Sequence, residues 1–109
     1  MKAEDRVGAI LHETEDIIYF LGFGKYLGDF VPETAAGTLA EIAREEEFEN
    51  PKILLDSGKV VWGCECWWGP EEEVKTYIQG RTIVEVDIDQ VRKRFLGRKN
   101  ANKTPGQNN

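Results

Sequence analysis

The chain has 109 residues, of which 40% are hydrophobic and 31% are charged, and its net charge is −6. This composition is typical of one soluble globular domain. No apolar run of about 18 residues predicts a membrane span, and no signal-peptide pattern follows the first residues, so we expect a cytoplasmic protein with reduced thiols. Because nucleic-acid phosphates are bound mainly by Lys and Arg, an acidic chain is not expected to bind duplex nucleic acid or an anionic membrane.

The charge is unevenly distributed along the chain. All 20 acidic residues lie within residues 1–97, whereas residues 98–109 carry Arg98, Lys99 and Lys103 and no large apolar side chain. We therefore predict a single folded domain over residues 1–97 and a flexible, polar, basic tail over residues 98–109.

The first elements form a predicted β-hairpin. Residues 6–12 and 17–23 are rich in β-branched and aromatic side chains, and an acidic turn separates them. Strict alternation along the second strand would place Ile17, Tyr19, Leu21 and Phe23 on one face, and Ile18, Phe20 and Gly22 on the other.

A segment of glycines and aromatics, residues 22–32, follows this hairpin. Its glycine spacing matches neither the dinucleotide-binding fingerprint nor a phosphate-binding Walker loop. We interpret it as a loop, and two roles remain open: buried aromatic side chains pin it to the core, or it forms one wall of a pocket.

The first helix is predicted from a capping box in which Thr38 is the N-cap and Glu41 reaches back to it. The helix would run to about residue 47 and bury Leu39, Ile42 and Ala43. A short strand at 52–55 and a turn at 56–58 come next. Gly58 occupies the turn position that favours positive φ.

The second half of the chain predicts a strand at 59–69 and a helix that begins at Pro70, buries Val74, Tyr77 and Ile78, and ends at Gly80. A strand at 81–86 and a helix from Asp87 to Gly97 complete the domain. The predicted fold is α+β: a mainly antiparallel five-stranded sheet with about three helices packed on it.

The predicted strand at 59–69 is the most distinctive stretch, because it holds all three tryptophans and both cysteines. Alternation places Val60, Trp62, Cys64, Cys66 and Trp68 on one face, interpreted as core. Two cysteines so placed are about 6–7 Å apart, which disfavours a disulfide between them. His12 is the one other soft ligand in the chain, so no metal or cofactor is predicted and the thiols are interpreted as small buried side chains.

The opposite face of this predicted strand carries Lys59, Val61, Gly63, Glu65 and Trp67. Gly63 would leave a shallow space in which Trp67 stacks on a planar ligand and Glu65 accepts a hydrogen bond. The alternative is that Trp67 packs under a helix or at a dimer interface. No spacing selects a catalytic carboxylate pair or a Ser-His-Asp arrangement, so we do not expect an enzyme.

Three segments, residues 22–32, 50–53 and 62–70, resemble the first Thoeris anti-defence family of small phage-encoded proteins. The resemblance implies an oligomeric, non-enzymatic binder that sequesters a cyclic ADP-ribose-type immune signal in the host cytoplasm. It would extend over roughly residues 6–96.

Such a ligand has a purine and a pyrophosphate. Phe23, Tyr26 and Trp67 are the candidates to stack on the purine. Phosphate oxygens attract cations, for which the candidates are Lys25, Lys52, Lys59 and Arg81. Asn50 and Glu65 are the candidates for base or ribose contacts.

Two other functions compete with this one. The acidic run that includes Glu41, Glu45, Glu46, Glu47 and Glu49 is compatible with an inhibitor that binds a basic host protein. A structural phage protein without a ligand is the third possibility, in which Tyr26 and Trp67 would lie in a core or an interface.

Overall fold

The computed structural model describes residues 2–35 and 37–102. The strands are Arg6–Glu13 (β1), Ile17–Phe30 (β2), Asn50–Leu55 (β3), Val60–Trp62 (β4), Trp67–Pro70 (β5) and Thr82–Glu85 (β6). The helices are Thr38–Glu46 (α1), Glu71–Tyr77 (α2) and Ile88–Asn102 (α3), and Gly63–Glu65 form a 3-10 turn. The predicted α+β fold is confirmed, with a sixth strand in the sheet. None of the described helices is long and apolar enough to cross a membrane.

The long strand β2 is the central strand of the sheet and pairs with three other strands. Neighbouring strands follow the order β4-β3-β2-β1-β5, and each pair in that series is antiparallel. On its second side β2 has two successive partners: β6 pairs with Ile17–Phe20 in parallel, and β3 pairs from Gly24 onward. The predicted strand 81–86 is therefore present as β6, and it supplies the one parallel pairing among the described strands.

The predicted loop over residues 22–32 is wrong, because β2 continues without a break to Phe30. The glycines in this segment allow close strand approach within the sheet. A Cβ atom at Gly24 would lie 2.2 Å from the backbone oxygen of Leu54 on β3. The segment that was predicted to be a loop is thus a tightly paired strand.

The face assignments along β2 are wrong beyond Leu21, because the strand contains β-bulges. Ala9 pairs with Gly22 and Ile10 with Phe20, so Leu21 is the extra residue. The bulge reverses the alternation, and Phe23 joins the ring of Phe20 at 4.9 Å in one cluster while Leu21 lies in another.

The two faces of the sheet have separate cores. One face packs against α3 through a cluster that includes Ile53 and Ile88. The other face is covered at one end by α2 around Val74, and at the other end by α1 around Trp62. Consecutive residues alternate between these faces, so Val61 and Trp62 are both buried although they point in opposite directions.

The predicted continuous strand at 59–69 is wrong, because the 3-10 turn divides it. Its first part, β4, pairs with β3, and its last part, β5, pairs with β1. A flat sheet would hold these two edge strands about 19 Å apart, far more than a 3-10 turn of this length spans. The sheet must therefore curl enough for this short segment to connect its two edge strands.

The division also separates side chains that were predicted to share a face. Trp62 packs beneath α1, whereas Cys66 and Trp68 pack on the face that α3 covers. Gly63 is required at the junction, since a Cβ atom there would lie 2.7 Å from Cδ of Pro51. Val60, Trp62 and Trp68 all pack in the cores as interpreted. Val60 and Trp62 share one face as predicted, whereas Trp68 lies on the other.

Helix α1 differs from its prediction in both its cap and its buried face. Gly37 is the N-cap residue and makes no side-chain cap bond, so Thr38 is helical rather than capping. Ala43 is buried as predicted, together with Ala40, while Leu39 is 64% exposed and Ile42 is 45% exposed. Small alanines face inward because the bulky indole of Trp62 occupies the space beneath them.

Helices α2 and α3 begin close to their predicted positions. Val74 of α2 is buried as predicted, but Tyr77 is 39% exposed. Asp87 caps α3 by accepting a hydrogen bond from the N–H of Asp89 at 2.9 Å. Gly97 does not end α3, which continues to Asn102. The remainder of the predicted tail, residues 103–109, lies outside the described residues.

Candidate functional site

The structure brings together two of the nine predicted ligand residues, Trp67 and Arg81, on an exposed cluster at the end of β1 and α2. Glu13 and Tyr77 complete the cluster, which we call the aromatic platform. Trp67 is supplied by β5, Glu13 by β1 and Tyr77 by α2, and Arg81 precedes β6. The platform exists because β5 pairs with β1 and α2 packs back on both strands.

The rings of the platform form a partly open stacking surface. The ring centroids of Trp67 and Tyr77 are 5.3 Å apart with a tilt of 35°. The guanidinium of Arg81 lies 4.8 Å from the Tyr77 ring centroid, a cation–π distance. Trp67 is 51% exposed, the largest exposure among the aromatic residues of the platform. One ring is therefore available to a planar ligand.

Glu13 organises the polar side of the platform. Its carboxylate accepts hydrogen bonds from the Tyr77 hydroxyl and from the Arg81 guanidinium. The Tyr77 hydrogen bond, followed by Arg81, lowers the pKa of Glu13 below its usual value. The same bond to Glu13 raises the pKa of Tyr77. At neutral pH the platform thus presents a carboxylate, a neutral phenol and a guanidinium.

A wide depression of about 510 Å³ lies beside the platform, lined by Glu72, Glu73, Thr76 and Tyr77 of α2. Its carboxylates make the surroundings of Tyr77 acidic. A ligand on the platform therefore meets aromatic surface and one guanidinium, flanked by hydrogen-bond acceptors.

Glu65, predicted as a ligand contact, is buried in a structural ion pair. Its side chain is 3% exposed and lies against Arg92, which is 15% exposed. The carboxylate also accepts the backbone N–H of Trp62 at 3.1 Å. These bonds satisfy Glu65 within the fold and remove it from the surface.

Tyr26 and Phe23 lie in the two cores rather than in one pocket. Tyr26 is 8% exposed, stacks on Trp68 at 5.5 Å between ring centroids, and donates a hydrogen bond to Asp29 at 2.6 Å. Phe23 packs on the opposite face, against Phe20. The two rings are three positions apart on a regularly paired stretch of β2, so they point to opposite faces of the sheet and cannot enclose the same ligand.

The predicted lysines are dispersed over the molecule. Lys25 pairs with Glu4 at 3.3 Å, and Lys59 pairs with both Asp87 and Asp89. These contacts neutralise both cations locally.

Lys52 and Asn50 lie together on β3, away from the platform. The Nζ atom of Lys52 is 5.5 Å from the ring centroids of both Phe30 and Trp62. Asn50 pairs with Phe30 at the end of the β2–β3 ladder. These two predicted residues are close in space and lie beside Phe30, which is 48% exposed.

A notch opens where β6 ends and β3 begins along β2. The notch consists of two adjoining cavities of about 290 and 250 Å³, and both are lined by Leu21, Leu55, Ser57 and Glu85. Lys59 and Asp87 border one cavity, and Phe23 borders the other. The notch results from the change of partner along β2, because residues 21–23 fall between the residues that pair with β6 and with β3.

Cys64 and Cys66 are free thiols. Burial raises the pKa of Cys64 above its usual value and raises that of Cys66 to about 12. Since the thiolate is the reactive form, neither cysteine is activated as a nucleophile. Within residues 2–35 and 37–102 no group of His, Cys, Asp and Glu is arranged to hold a metal ion.

Comparisons with known proteins yield no match to a family model, to a curated protein or to a solved structure.

Tyr77 and Glu13 are site residues that the sequence did not identify. Helical spacing predicted a buried Tyr77, because it follows Val74 by three positions. Glu13 belongs to a turn in the sequence and approaches Tyr77 only through the packing of α2 on the sheet. No local pattern links either residue to Trp67.

Proposed function

We propose that this protein binds and sequesters a cyclic ADP-ribose-type nucleotide signal without cleaving it, and that it thereby counters a host anti-phage defence. The observation that carries the proposal is the exposed Trp67 ring beside Tyr77 and Arg81. Exposed aromatic rings next to a guanidinium match the two chemical parts of a nucleotide, a flat base and an anionic phosphate.

Each residue of the platform has a distinct role in this proposal. The base stacks on the exposed side of Trp67, the more exposed of the two aromatic rings of the platform. Arg81 donates hydrogen bonds to a phosphate oxygen from the side of the guanidinium that does not face Glu13. Glu13 accepts from a ribose hydroxyl, for which an ionised carboxylate is well suited.

The titration behaviour of the platform supports binding without cleavage. General acid–base catalysis is favoured by groups whose pKa lies near the working pH. The pKa of Glu13 is lowered and that of Tyr77 is raised, so both move away from neutrality. The thiols, whose pKa values are raised, likewise do not favour nucleophilic attack.

The positive charge that the platform offers to a phosphate group is largely neutralised by neighbouring carboxylates. Arg81 is paired with Glu13, and Glu72 and Glu73 lie nearby. A pyrophosphate therefore needs a second source of positive charge. We include assembly of several copies in the proposal, because a neighbouring copy can supply such cations at the rim of the platform.

Isothermal titration calorimetry with cyclic ADP-ribose isomers and cyclic oligonucleotides tests the proposal. We expect Trp67→Ala to abolish the binding heat and Arg81→Gln to reduce it. Phe48→Ala is the matched control, because Phe48 is a similarly exposed aromatic residue, 59% against 51% for Trp67, outside the platform.

Mass spectrometry of ligand released by heat denaturation distinguishes sequestration from cleavage. We expect recovery of the ligand with unchanged mass after prolonged incubation. Absence of binding heat with every nucleotide, or equal binding by wild type and Trp67→Ala, would refute the proposed site. Recovery of hydrolysed products would refute sequestration.

A further inference from the structure

Three large apolar side chains are exposed along α1 and immediately after it: Leu39 (64%), Ile42 (45%) and Phe48 (59%). Leu39 and Ile42 are three positions apart and therefore share one side of the helix. The N–H of Phe48 donates to the oxygen of Ala43 at 2.8 Å, after Glu47 in the left-handed conformation. This bond pattern turns the chain back across the end of the helix.

The inner contacts of α1 fix which side faces outward. Ala40 and Ala43 are buried, and the Arg44 guanidinium donates to the backbone oxygens of Pro32 and Ala35 at 3.2 and 2.8 Å. Arg44 is the one basic residue in the sequence of α1. Its inward contacts leave no cation in α1 for the outer face.

The outer face of α1, which we define as Leu39, Ile42 and Phe48 with Glu45, Glu46 and Glu49, is thus both apolar and acidic. All three of these glutamates are exposed. In the part of the chain that the structure describes, no recorded ion pair involves them. An apolar stripe bordered by unneutralised carboxylates is complementary to a helix that carries apolar residues on one side and Lys or Arg beside them.

We propose that the outer face of α1 docks a basic amphipathic helix of a partner protein. Leu39, Ile42 and Phe48 pack against the apolar stripe of that helix. Glu45, Glu46 and Glu49 pair with its flanking cations and set its orientation. This surface is separate from the aromatic platform, whose residues belong to β1, β5, α2 and the segment before β6.

The charge of the surface favours such a partner over a second copy of this chain. An isologous contact would place the same patch against itself, and so would bring the glutamates of two copies together. Like charges facing each other at an interface reduce affinity. The basic residues 98–109 lack large apolar side chains, so they match the acidic part of the surface but not its apolar part.

Fluorescence anisotropy with the full-length chain and a labelled synthetic Leu/Lys peptide of about five helical turns tests the proposal. A scrambled peptide of the same composition is the control ligand. We expect the amphipathic peptide to bind in preference to the scrambled one, and the variant Leu39→Ser/Ile42→Ser to lose affinity by at least about tenfold. Ile83→Ser/Val84→Ser, in which two residues of similar exposure on β6 are changed (40% and 38%), should bind as wild type does.

If the Trp67→Ala variant binds the peptide as tightly as wild type does, the outer face of α1 functions independently of the aromatic platform. The two proposals can therefore fail or succeed separately. Equal binding of both peptides would overturn the inference, because charge alone would then explain it. Dissociation of an assembly by Leu39→Ser/Ile42→Ser in sedimentation velocity would assign the surface to a second copy. Tighter peptide binding by Lys99→Glu/Lys103→Glu would assign it to the chain's own tail. Either result would overturn the proposed partner.

Discussion

The guanidinium of Arg92 donates two hydrogen bonds to the carboxylate of Glu65, at 2.9 and 2.8 Å. The same guanidinium donates to the backbone oxygen of Val60 at 2.9 Å. Arg92 belongs to α3, and Glu65 belongs to the 3-10 turn that connects the edge strands β4 and β5. This ion pair therefore connects the longest helix to the turn between the two edge strands of the sheet.

Replacing Arg92 by Ala would leave the Glu65 carboxylate buried without its cation. Breaking a buried pair on one side costs about 3–5 kcal/mol, so we expect a fall of that order in the free energy of unfolding. Urea titration at neutral pH measures it. Arg94→Ala is the matched control, because Arg94 lies on the same helix and is exposed, and should change stability by less than about 0.5 kcal/mol. Equal effects of the two substitutions would contradict a structural role for the pair.

Trp62 and Trp67 are predicted to differ sharply in their contribution to stability. Trp62 is 1% exposed, and its indole N–H donates to the Thr34 hydroxyl at 2.9 Å, whereas Trp67 is 51% exposed. Trp62→Ala removes a core side chain, which costs about 3–5 kcal/mol. Trp67→Ala should leave the free energy of unfolding nearly unchanged. Thermal denaturation monitored by circular dichroism compares the two, and a stable Trp62→Ala variant would show that the space beneath α1 collapses without cost.

Local patterns predicted the fold class and most element positions, because these depend on composition over short windows. Val74 as core, Gly58 as a turn residue with φ of 95° and Asp87 as a cap all follow from signals within a few residues. Face assignments failed where the pairing depends on distant strands. The bulge at Leu21 and the turn at Gly63–Glu65 each break an alternation that the sequence itself continues.

The candidate site was predictable only in part, for the same reason. Trp67 was identified because a large aromatic residue on the less apolar face of a strand is unusual. Its neighbours Tyr77 and Glu13 are brought to it by the β1–β5 pairing and by α2. The basic residues were selected by proximity in sequence, and two of the four, Lys25 and Lys59, prove to be paired with carboxylates elsewhere on the surface.

A glycine in β2 is predicted to be essential for its pairing with β3. A Cβ atom at Gly24 would lie 2.2 Å from the Leu54 backbone oxygen and 2.7 Å from Cα of Leu55. Because these are backbone atoms, Gly24→Ala must displace a strand, and overpacking of this kind costs about 1–3 kcal/mol or more. The melting temperature should fall by several degrees per kcal/mol lost, roughly 4–8 °C in a domain of this size.

Gly69→Ala on β5 is the control for this substitution. The nearest atoms to a Cβ at Gly69 are 3.8 Å away, an ordinary contact distance. This variant should therefore melt within a few degrees of wild type. If Gly24→Ala melted no lower than Gly69→Ala, the close approach of β2 to β3 would be contradicted.

The lowered pKa values of four carboxylates predict that the folded protein loses stability in acid. The pKa is lowered for Glu13 by Tyr77 and Arg81, for Asp56 and Glu71 by Arg6, and for Asp87 by the N–H of Asp89. A carboxylate whose pKa is lower in the folded state stays charged there while the unfolded chain takes up protons. The contribution of these carboxylates to the free energy of unfolding is fully present above their pKa values in the unfolded chain. It is lost as the pH falls through their lowered pKa values in the folded protein.

We therefore expect the free energy of unfolding to be nearly constant from about pH 7 to pH 5 and to fall below about pH 4. Asp56→Asn should lower stability at neutral pH, because it removes an ion pair of 2.7 Å with Arg6, and should reduce the further loss on acidification. Glu45→Gln, at an exposed position without a recorded ion pair in the described residues, should follow the wild-type profile. Urea titrations across this pH range measure all three profiles. A wild-type stability that stayed constant or rose between about pH 5 and pH 3 would contradict lowered pKa values for these carboxylates, since the unfolded chain must bind the additional protons.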